Sequence, residues 1–377
     1  MRILNYIYSL PVGGAETVVA EYLRQLRQRG AQVLLVQDYR TESFLTRSLE
    51  EQGIPMVTLW PGSGESKLGQ TAKKAARGVG LYRKFNKVIR EFQPDVIHFH
   101  AFPDHMDRLD FPRKRMFYSF HSALERNLGM LGEKNVTLLQ SLSDDGLTFC
   151  GLTADYAKEI GTRFHTDRVL CIPNGLDFDR IRSQRYSREE LRSLFGIPED
   201  AFLLGTVGRL HPVKNQERML SILREVQKSR PDARLLIVGA DQAGRADLLR
   251  RQAAELGVAD ALALAGERRD ADAILAAMDC FLLTSLSESF SLVSVEAQAL
   301  GVKCVLSDAV PENVVCQNCV RLSLDESDER WAEAVVGAES DPITRNLENY
   351  NLNTVVDRLM QIYRDALARK KSCIADQ

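Results

Sequence analysis

Short apolar, β-rich runs alternate with amphipathic helical patterns along almost the whole chain, and this alternation constrains the fold more than any other feature. In the first half the runs are RILNYIY, QVLLVQ, PMVTLW, DVIHFH, MFYSFH, LTFCGLT and VLCIP. Several are near-continuous in apolar residues, as strands covered on both faces must be. Between them lie helical patterns such as TVVAEYLRQLRQRG, which ends at Gly30 where a helix C-cap is expected. The alternation predicts a parallel sheet flanked by helices on both faces. A polar, turn-rich stretch, PNGLDFDRIRSQRYSREELRSLFGIPED, then interrupts it, with a short helix predicted over Ser187–Phe195. The pattern restarts with FLLGTVG, RLLIVGA, ALALAG, CFLLTS and KCVLSD, and closes with an amphipathic helix, LNTVVDRLMQIYRDALARKK.

This pattern predicts an α/β chain of two doubly wound, Rossmann-like domains. The expected division is one domain over 1–180, a second over 181–350, and a C-terminal helix and tail over 351–377. The change of domain is sought near Asn174–Pro198. Doubly wound sheets bind ligands beyond the carboxyl ends of their strands. Two such edges facing across a cleft suit an enzyme that takes a donor on one domain and an acceptor on the other.

The 377 residues provide enough chain for two domains. A net charge of −2 gives no support to nucleic-acid binding. Residues 1–173 carry +4 and the remainder −6, so the first half is the better match for an anionic partner. Seven cysteines, an odd number, argue for reduced thiols and a cytoplasmic setting. Cys316 and Cys319 form a single CxxC with no second pair and no nearby histidine, a poor zinc site. No apolar run reaches the ~18–20 residues of a membrane helix. The opening MRILNYIYSLPVGG is read as a first strand and not as a signal peptide, because its apolar run is short.

Two clusters of residues carry chemistry. In GTVGRLHPVKNQ a strand ends at Gly208, Arg209 follows at once, and Lys214 comes near the start of the next helix. Cations at that position suit a phosphate group; the alternative is a pair of solvated surface charges. In SESFSLVSVEAQALG, Glu288 falls in the turn after a strand and Glu296 one to two turns into a helix closed by Gly301. Carboxylates repel phosphate but match vicinal hydroxyls, so a ligand with a central diphosphate and a sugar at each end would use both clusters. The alternative is a helix-capping Glu288 and a solvated Glu296.

These residues, GRL-x3-K and S-x2-E-x7-E with EAQALG, together with GGAE, DVIHFH and IPNGLD, resemble the retaining GT-B glycosyltransferases of family 4. The resemblance spans nearly the whole chain, with the motifs in order. It implies that the domain over 1–180 binds the acceptor, that the domain over 181–350 binds the nucleotide-sugar, and that the helix and tail over 351–377 return to the first domain. It implies that Arg209 and Lys214 hold the donor diphosphate, together with the Gly13–Gly14 loop. It implies that Glu288 touches the transferred sugar, alongside Phe290, Ser291 and Leu292, and that Glu296 accepts from the ribose hydroxyls. It assigns Gly266 to the loop that meets the base, and His121 to the active site near the sugar. The family often has glycine after the first glutamate; Ser289 stands there, with Ser291 two residues on.

The function that follows is a retaining, metal-independent hexosyl transfer from a nucleotide-diphosphate sugar, UDP-sugar favoured, to an acceptor hydroxyl. The setting expected is surface-polysaccharide or glycoconjugate synthesis in the cytoplasm, at or near the inner face of the membrane. No cofactor is expected. A glycan or lipid-linked acceptor is the expected partner, and nucleic acid is not. Closure about the interdomain hinge would exclude water. Two other readings remain: a nucleotide-sugar epimerase of the same fold, and a non-catalytic carbohydrate- or nucleotide-sugar-binding relative. A dinucleotide oxidoreductase is disfavoured, because neither first βα turn carries G-x-G-x-x-G.

Three further features have plainer readings. His98, His100 and His105 lack a carboxylate or cysteine to complete a metal set, and packing or site-lining roles are expected. Asp270–Asp272 forms a D-x-D at the start of a helical pattern, where a helix N-cap is expected. Residues 62–90 carry Lys67, Lys73, Lys74, Arg77, Arg83, Lys84, Lys87 and Arg90 against Glu65 alone. This is either a solvated face or a peripheral contact for an anionic acceptor or membrane.

Overall fold

The computed structural model describes residues 1–11, 13–60, 70–183, 186–241, 244–268, 270–337 and 346–375, the side chains of 70–79 and 369–375 excepted. The chain divides into two units, one of Met1–Gly175 with Leu352–Gln377 and one of Leu176–Asn351.

The first unit holds strands β1 (Arg2–Ile7), β2 (Gln32–Gln37), β3 (Met56–Thr58), β4 (Val96–Phe99), β5 (Met116–Ser119), β6 (Thr148–Gly151) and β7 (Val169–Cys171). They form one parallel sheet in the order β3-β2-β1-β4-β5-β6-β7. Its helices are α1 (Gly14–Gln28), α2 (Phe44–Glu51), α3 (Gln70–Phe92), α4 (Leu124–Leu131), α5 (Glu133–Asp144) and α6 (Ala154–Arg163). The second unit holds α7 (Phe178–Arg182), α8 (Arg188–Leu194), α9 (Gln216–Gln227), α10 (Arg245–Glu255), α11 (Ala271–Ala276), α12 (Leu292–Ala299) and α13 (Asp328–Val336). Its strands are β8 (Leu203–Val207), β9 (Arg234–Val238), β10 (Leu262–Gly266), β11 (Cys280–Leu283), β12 (Lys303–Ser307) and β13 (Cys319–Leu322), parallel in the order β10-β9-β8-β11-β12-β13. The last helix, α14 (Leu352–Ala375), belongs to the first unit.

In each sheet the strand order reverses beside the first strand, between β1 and β4 and between β8 and β11. Chain ends diverge at such a point, which leaves room for a ligand beyond the strand carboxyl termini. The central strands are apolar throughout because helices cover both faces: all four residues of β4, β5 and β11 are buried. The second core gathers Leu204, Leu235, Ile237, Leu282 and Val305 from the sheet against Leu220, Leu223 and Trp331 from α9 and α13.

α14 packs on α1. Arg29 holds Asp357 at 2.6 Å and the Asn353 side chain at 2.9 Å. From the same helix Tyr363 is fully buried against His98 and Phe117.

The polar interruption contains α8, with Ser187 and Glu190 forming a reciprocal capping box. It also contains α7, capped by Asp177, which the sequence reading passed over as turn. A sixth strand of the second sheet, β13, was likewise missed, because CVRL is short and carries Arg321 in its middle.

Candidate active site

The second unit assembles most of the chemically suited residues at one end of its sheet. β8 ends at Val207, and Gly208 and Arg209 follow directly. The chain then makes a single 3-10 turn over Pro212–Lys214, with His211 accepting from the Val213 N–H at 3.1 Å. Asn215, in the left-handed conformation at φ 50°, turns the chain into α9. This path returns the Lys214 side chain past Gly208, where a Cβ would stand 3.6 Å from its Cε. Arg209 is exposed at the strand exit.

The loop after β11 is stitched to that turn. Thr284 Oγ1 donates to the Asn215 carbonyl at 2.8 Å, and the Leu286 N–H to the Val213 carbonyl at 2.7 Å. Ser307 Oγ, on the neighbouring strand, donates to the Ser285 carbonyl at 2.7 Å. Glu288 is thereby placed so that Oε1 accepts from Lys214 Nζ at 2.6 Å and from Ser285 Oγ at 2.7 Å. The pair is mostly sheltered, with side-chain exposures of 20% for Lys214 and 10% for Glu288.

Phe290 is buried with its ring edge-on to Tyr350, centroids 5.4 Å apart. Ser291 is the N-cap residue of α12 and adopts φ 69°, a conformation disfavoured for any residue with a Cβ. Its hydroxyl is buried and does not cap the helix. The strained position is therefore Ser291, three residues beyond Glu288, while Ser289 needs no positive φ. Leu292 opens α12, and Glu296 follows in its second turn, half-buried. Burial pushes the Glu296 carboxyl up to about 7; Arg180 opposes that rise and Asp272 adds to it.

Glycines mark the exits of three adjacent strands: Gly208, Gly239 and Gly266. Gly266 has φ 67° and its carbonyl accepts from the Gly239 N–H at 2.8 Å. Gly239 was not singled out from the sequence, although RLLIVGA displays it. A Cβ there would lie 2.0 Å from the Gly208 carbonyl oxygen, so only glycine lets these strand ends approach. Gly13 differs. It is the N-cap of α1 in extended conformation (φ −163°), which any residue can adopt, and Gly14 is the first residue of that helix.

The D-x-D takes its expected place at a helix start, although without a side-chain cap. Asp270 occupies the N-cap position of α11 but makes no cap bond, because Arg268 holds it through two bonds of 2.9 and 2.7 Å. Asp272 pairs with Arg180 at 2.8 Å. Cys316 and Cys319 are buried, and the Cys316 N–H is bound by Gln298. Among the described residues no group of three or more His, Cys, Asp or Glu side chains is placed to hold a metal ion.

In the first unit, β4 and β5 end beside each other, and a chain of histidines runs along that edge. His100 Nδ1 lies 2.9 Å from His121 Nε2, and His100 Nε2 3.1 Å from Asn5 Oδ1 on β1. His98 lies one pleat back. It bonds Tyr363 at 2.6 Å and Ser119 at 2.7 Å, with its ring 4.2 Å from that of His100. His98 therefore packs the core, whereas His105 stands apart against Tyr82. Burial lowers His98 to about 3, His100 well below its usual value and His121 to about 4, so all three rings are neutral at pH 7.

Of the basic stretch, Glu65 and Lys67 lie outside the described residues, as do the side chains of Lys73, Lys74 and Arg77. Arg83, Lys84, Lys87 and Arg90 are exposed on α3. Lys84 Nζ donates to the Leu59 carbonyl at 2.9 Å and lies over the Trp60 ring. No helix among the described residues is long and apolar enough to cross a membrane.

Two parallel Rossmann-like sheets, each ending in a set of polar side chains at its switch point, define a GT-B-type α/β protein. Residues 12–180 match the family model described as Glycosyltransferase Family 4, and residues 187–354 match that described as Glycosyl transferases group 1. The chain belongs to this family of glycosyltransferases.

EpsF of Bacillus subtilis (strain 168), named provisionally as a glycosyltransferase, is 30% identical over 195 residues, 51% of this chain and 50% of that one. The UDP-Gal:alpha-D-GlcNAc-diphosphoundecaprenol alpha-1,3-galactosyltransferase of Escherichia coli is 27% identical over 217 residues, 54% of this chain and 56% of that one. The chain spans about half the length of these curated relatives. The crystal structure of Anabaena HepE in complex with UDP superimposes with a TM-score of 0.71 at 21% identity, covering 99% of this chain and 100% of that one. At that identity the likeness establishes the fold.

Proposed function

We propose that this chain is a retaining glycosyltransferase that moves a hexose from a nucleotide-diphosphate sugar, a UDP-sugar in the first instance, to an acceptor hydroxyl. The observation that carries the reading is the sheltered Lys214–Glu288 pair, set at the carboxyl edge of the second sheet next to Arg209. A cation and a carboxylate bonded to each other at a ligand edge match a ligand that is itself anionic beside hydroxyls. Lys214 and Arg209 neutralise the diphosphate as it departs, supplying positive charge without a metal. Glu288 accepts from hydroxyls of the transferred sugar, and Glu296 from those of the ribose. Gly239 and Gly266 leave backbone accessible for the base. For His121 a role at the sugar, and for Gly13 and Gly14 a role at the diphosphate, are what the resemblance to family 4 implies. Same-face attack guided by the leaving group is the route to retention that the resemblance to family 4 implies.

HepE, whose structures include complexes with UDP and with UDP-glucose, supports the choice of donor base. The E. coli relative, whose name specifies a diphosphoundecaprenol acceptor, supports a lipid-linked acceptor and a place in surface-glycan assembly. Arg83, Lys87 and Arg90 on α3 would then meet the anionic acceptor or the cytoplasmic bilayer surface.

The test is a thermal-shift screen of UDP-, GDP- and ADP-sugars, followed by transfer to a lipid-diphosphate sugar with and without EDTA and NMR of the product anomer. A UDP-sugar that stabilises the protein and gives EDTA-insensitive transfer with retained configuration supports the reading. Absence of any nucleotide-dependent shift, or an inverted product, refutes it.

A further inference from the structure

The histidine chain of the first unit carries an inference about residues that the proposed reaction does not otherwise employ. Asn5 lies in the middle of β1 and is 1% exposed; His100 follows β4 and is 7% exposed. Neither can touch bulk solvent to any extent, yet each spends its side chain on a neighbour in the direction of His121. The two bonds run in one direction, from strand centre to strand end, while the Asn5 Nδ2 is buried with no partner among the described residues.

The bonding has a definite polarity. A neutral imidazole has one N–H donor and one acceptor nitrogen. Asn5 presents its amide oxygen to His100 Nε2, so that nitrogen carries the proton. His100 Nδ1 is then an acceptor, and the bond to His121 requires His121 Nε2 to donate. Asn5 thereby selects the tautomer of a ring two bonds away. The column is braced from behind: His98 stacks on His100 and is itself held by Ser119 and by Tyr363 of α14.

We propose that Asn5 and His100 are positioning residues for glycosyl transfer: they lock His121 in the Nε2–H tautomer and fix its ring at the carboxyl edge of the first sheet. The role in transfer rests on the reading above, whereas the tautomer lock does not. Burial, which keeps all three rings uncharged near neutral pH, is what makes a tautomer and not a charge the controlled quantity.

The test combines a spectroscopic and a kinetic readout on the full chain. Long-range ¹⁵N–¹H NMR of histidine-labelled protein should show His121 protonated at Nε2 alone. Asn5→Leu, which removes the acceptor, should leave His121 a mixture of tautomers. It should also lower kcat about 10–100-fold, the usual loss when an orienting partner is removed, with the donor KM within about twofold. Asn5→Asp, whose carboxylate favours a cationic His100 that donates through both nitrogens, should instead switch His121 to the Nδ1–H tautomer. If Asn5→Leu fails to fold, His100→Gln, which can still accept from His121, against His100→Leu, which cannot, asks the same question. His98→Phe, which alters the packing behind the column, should leave the tautomer of His121 unchanged.

A wild-type His121 protonated at Nδ1 overturns the lock. So does an Asn5→Leu protein with both readouts unaltered. If the NMR behaves as stated but the wild type transfers no sugar from any nucleotide donor, the functional reading fails and the tautomer lock survives.

Discussion

Lys214 Nζ donates to Glu288 Oε1 across 2.6 Å, joining the turn after β8 to the loop after β11. The two charges are sequence neighbours of nothing in common; 74 positions separate them. Without a ligand each satisfies the other. On the proposed reading, a donor diphosphate would draw Lys214 toward its oxygens and turn Glu288 toward sugar hydroxyls, and the pair would hold the place of the substrate until then. Lys214→Ala should therefore lower kcat by about 10²–10³-fold, the loss typical of one preorganised charge-stabilising donor. Glu288→Ala and the double variant should combine less than additively, because each single variant also frees the partner charge. Steady-state kinetics of the three variants provide the check. A Lys214→Ala enzyme within threefold of wild type would remove the clamp from the mechanism.

Glu296 titrates where most enzymes are assayed. Burial raises its carboxyl to about 7, so below that pH it is largely protonated in the folded protein. If the ribose hydroxyls bind the carboxylate form, nucleotide affinity should weaken up to about tenfold per pH unit below 7. Calorimetric titrations with UDP at pH 6 and pH 8 would read this, with Glu296→Gln abolishing the dependence. The effect on stability has the opposite sign. The folded pKa lies above the unfolded one, so this carboxyl costs nothing below about 4.5 and progressively lowers stability as pH rises to 7.

The histidines impose a separate acid limit. Burial holds His98 near 3 and His121 near 4, against 6.5 for the unperturbed ring. Folded-state values below the unfolded one mean that their contribution is complete above pH 6.5 and is lost as pH falls toward 4 and then 3. Melting temperature should fall over that window, and His98→Phe should shallow the fall. A profile unchanged by that substitution would show that His98 is not protonated on unfolding.

Arg192 is 1% exposed and spans the foot of the second unit. It donates to the carbonyls of Glu199, Ala201 and Ala277 and to Asp279, which also accepts from Arg188 and from the Leu203 N–H. Asp279→Ala strands a buried guanidinium and should cost about 3 kcal/mol of unfolding free energy. Chemical denaturation measures it; a loss below about 1 kcal/mol would mean that the carbonyls suffice.

Ser291 offers a prediction with a sign. Its left-handed backbone costs roughly 1–2 kcal/mol in a residue with a Cβ, and its buried hydroxyl has no hydrogen-bond partner among the described residues. Ser291→Gly relieves both at a backbone-entropy cost of about 0.5–1 kcal/mol, so stability should rise by up to about 1 kcal/mol. Ser291→Val should lower it. Thermal melts of the two variants decide the matter, and opposite shifts are required.

Local chemistry settled a large part of this protein before any contact was known. Runs such as CFLL and VIHF are short and almost wholly apolar, as strands covered on both sides are, and their alternation with amphipathic stretches implies parallel sheets. Gly301 at φ 74° and Ser187 with Glu190 end and begin helices for reasons contained within a few residues. Arg209, Lys214, Glu288 and Glu296 were nameable because strand exits and helix starts place them at one edge of a sheet. Tertiary structure alone decided what such residues do to one another: Lys214 bonded to Glu288, and Asn5 bonded to His100 and through it to His121. Each of these depends on strands distant in sequence lying side by side. Hydrogen bonds act over about 3 Å, a separation that the sheet sets and no local pattern of residues encodes.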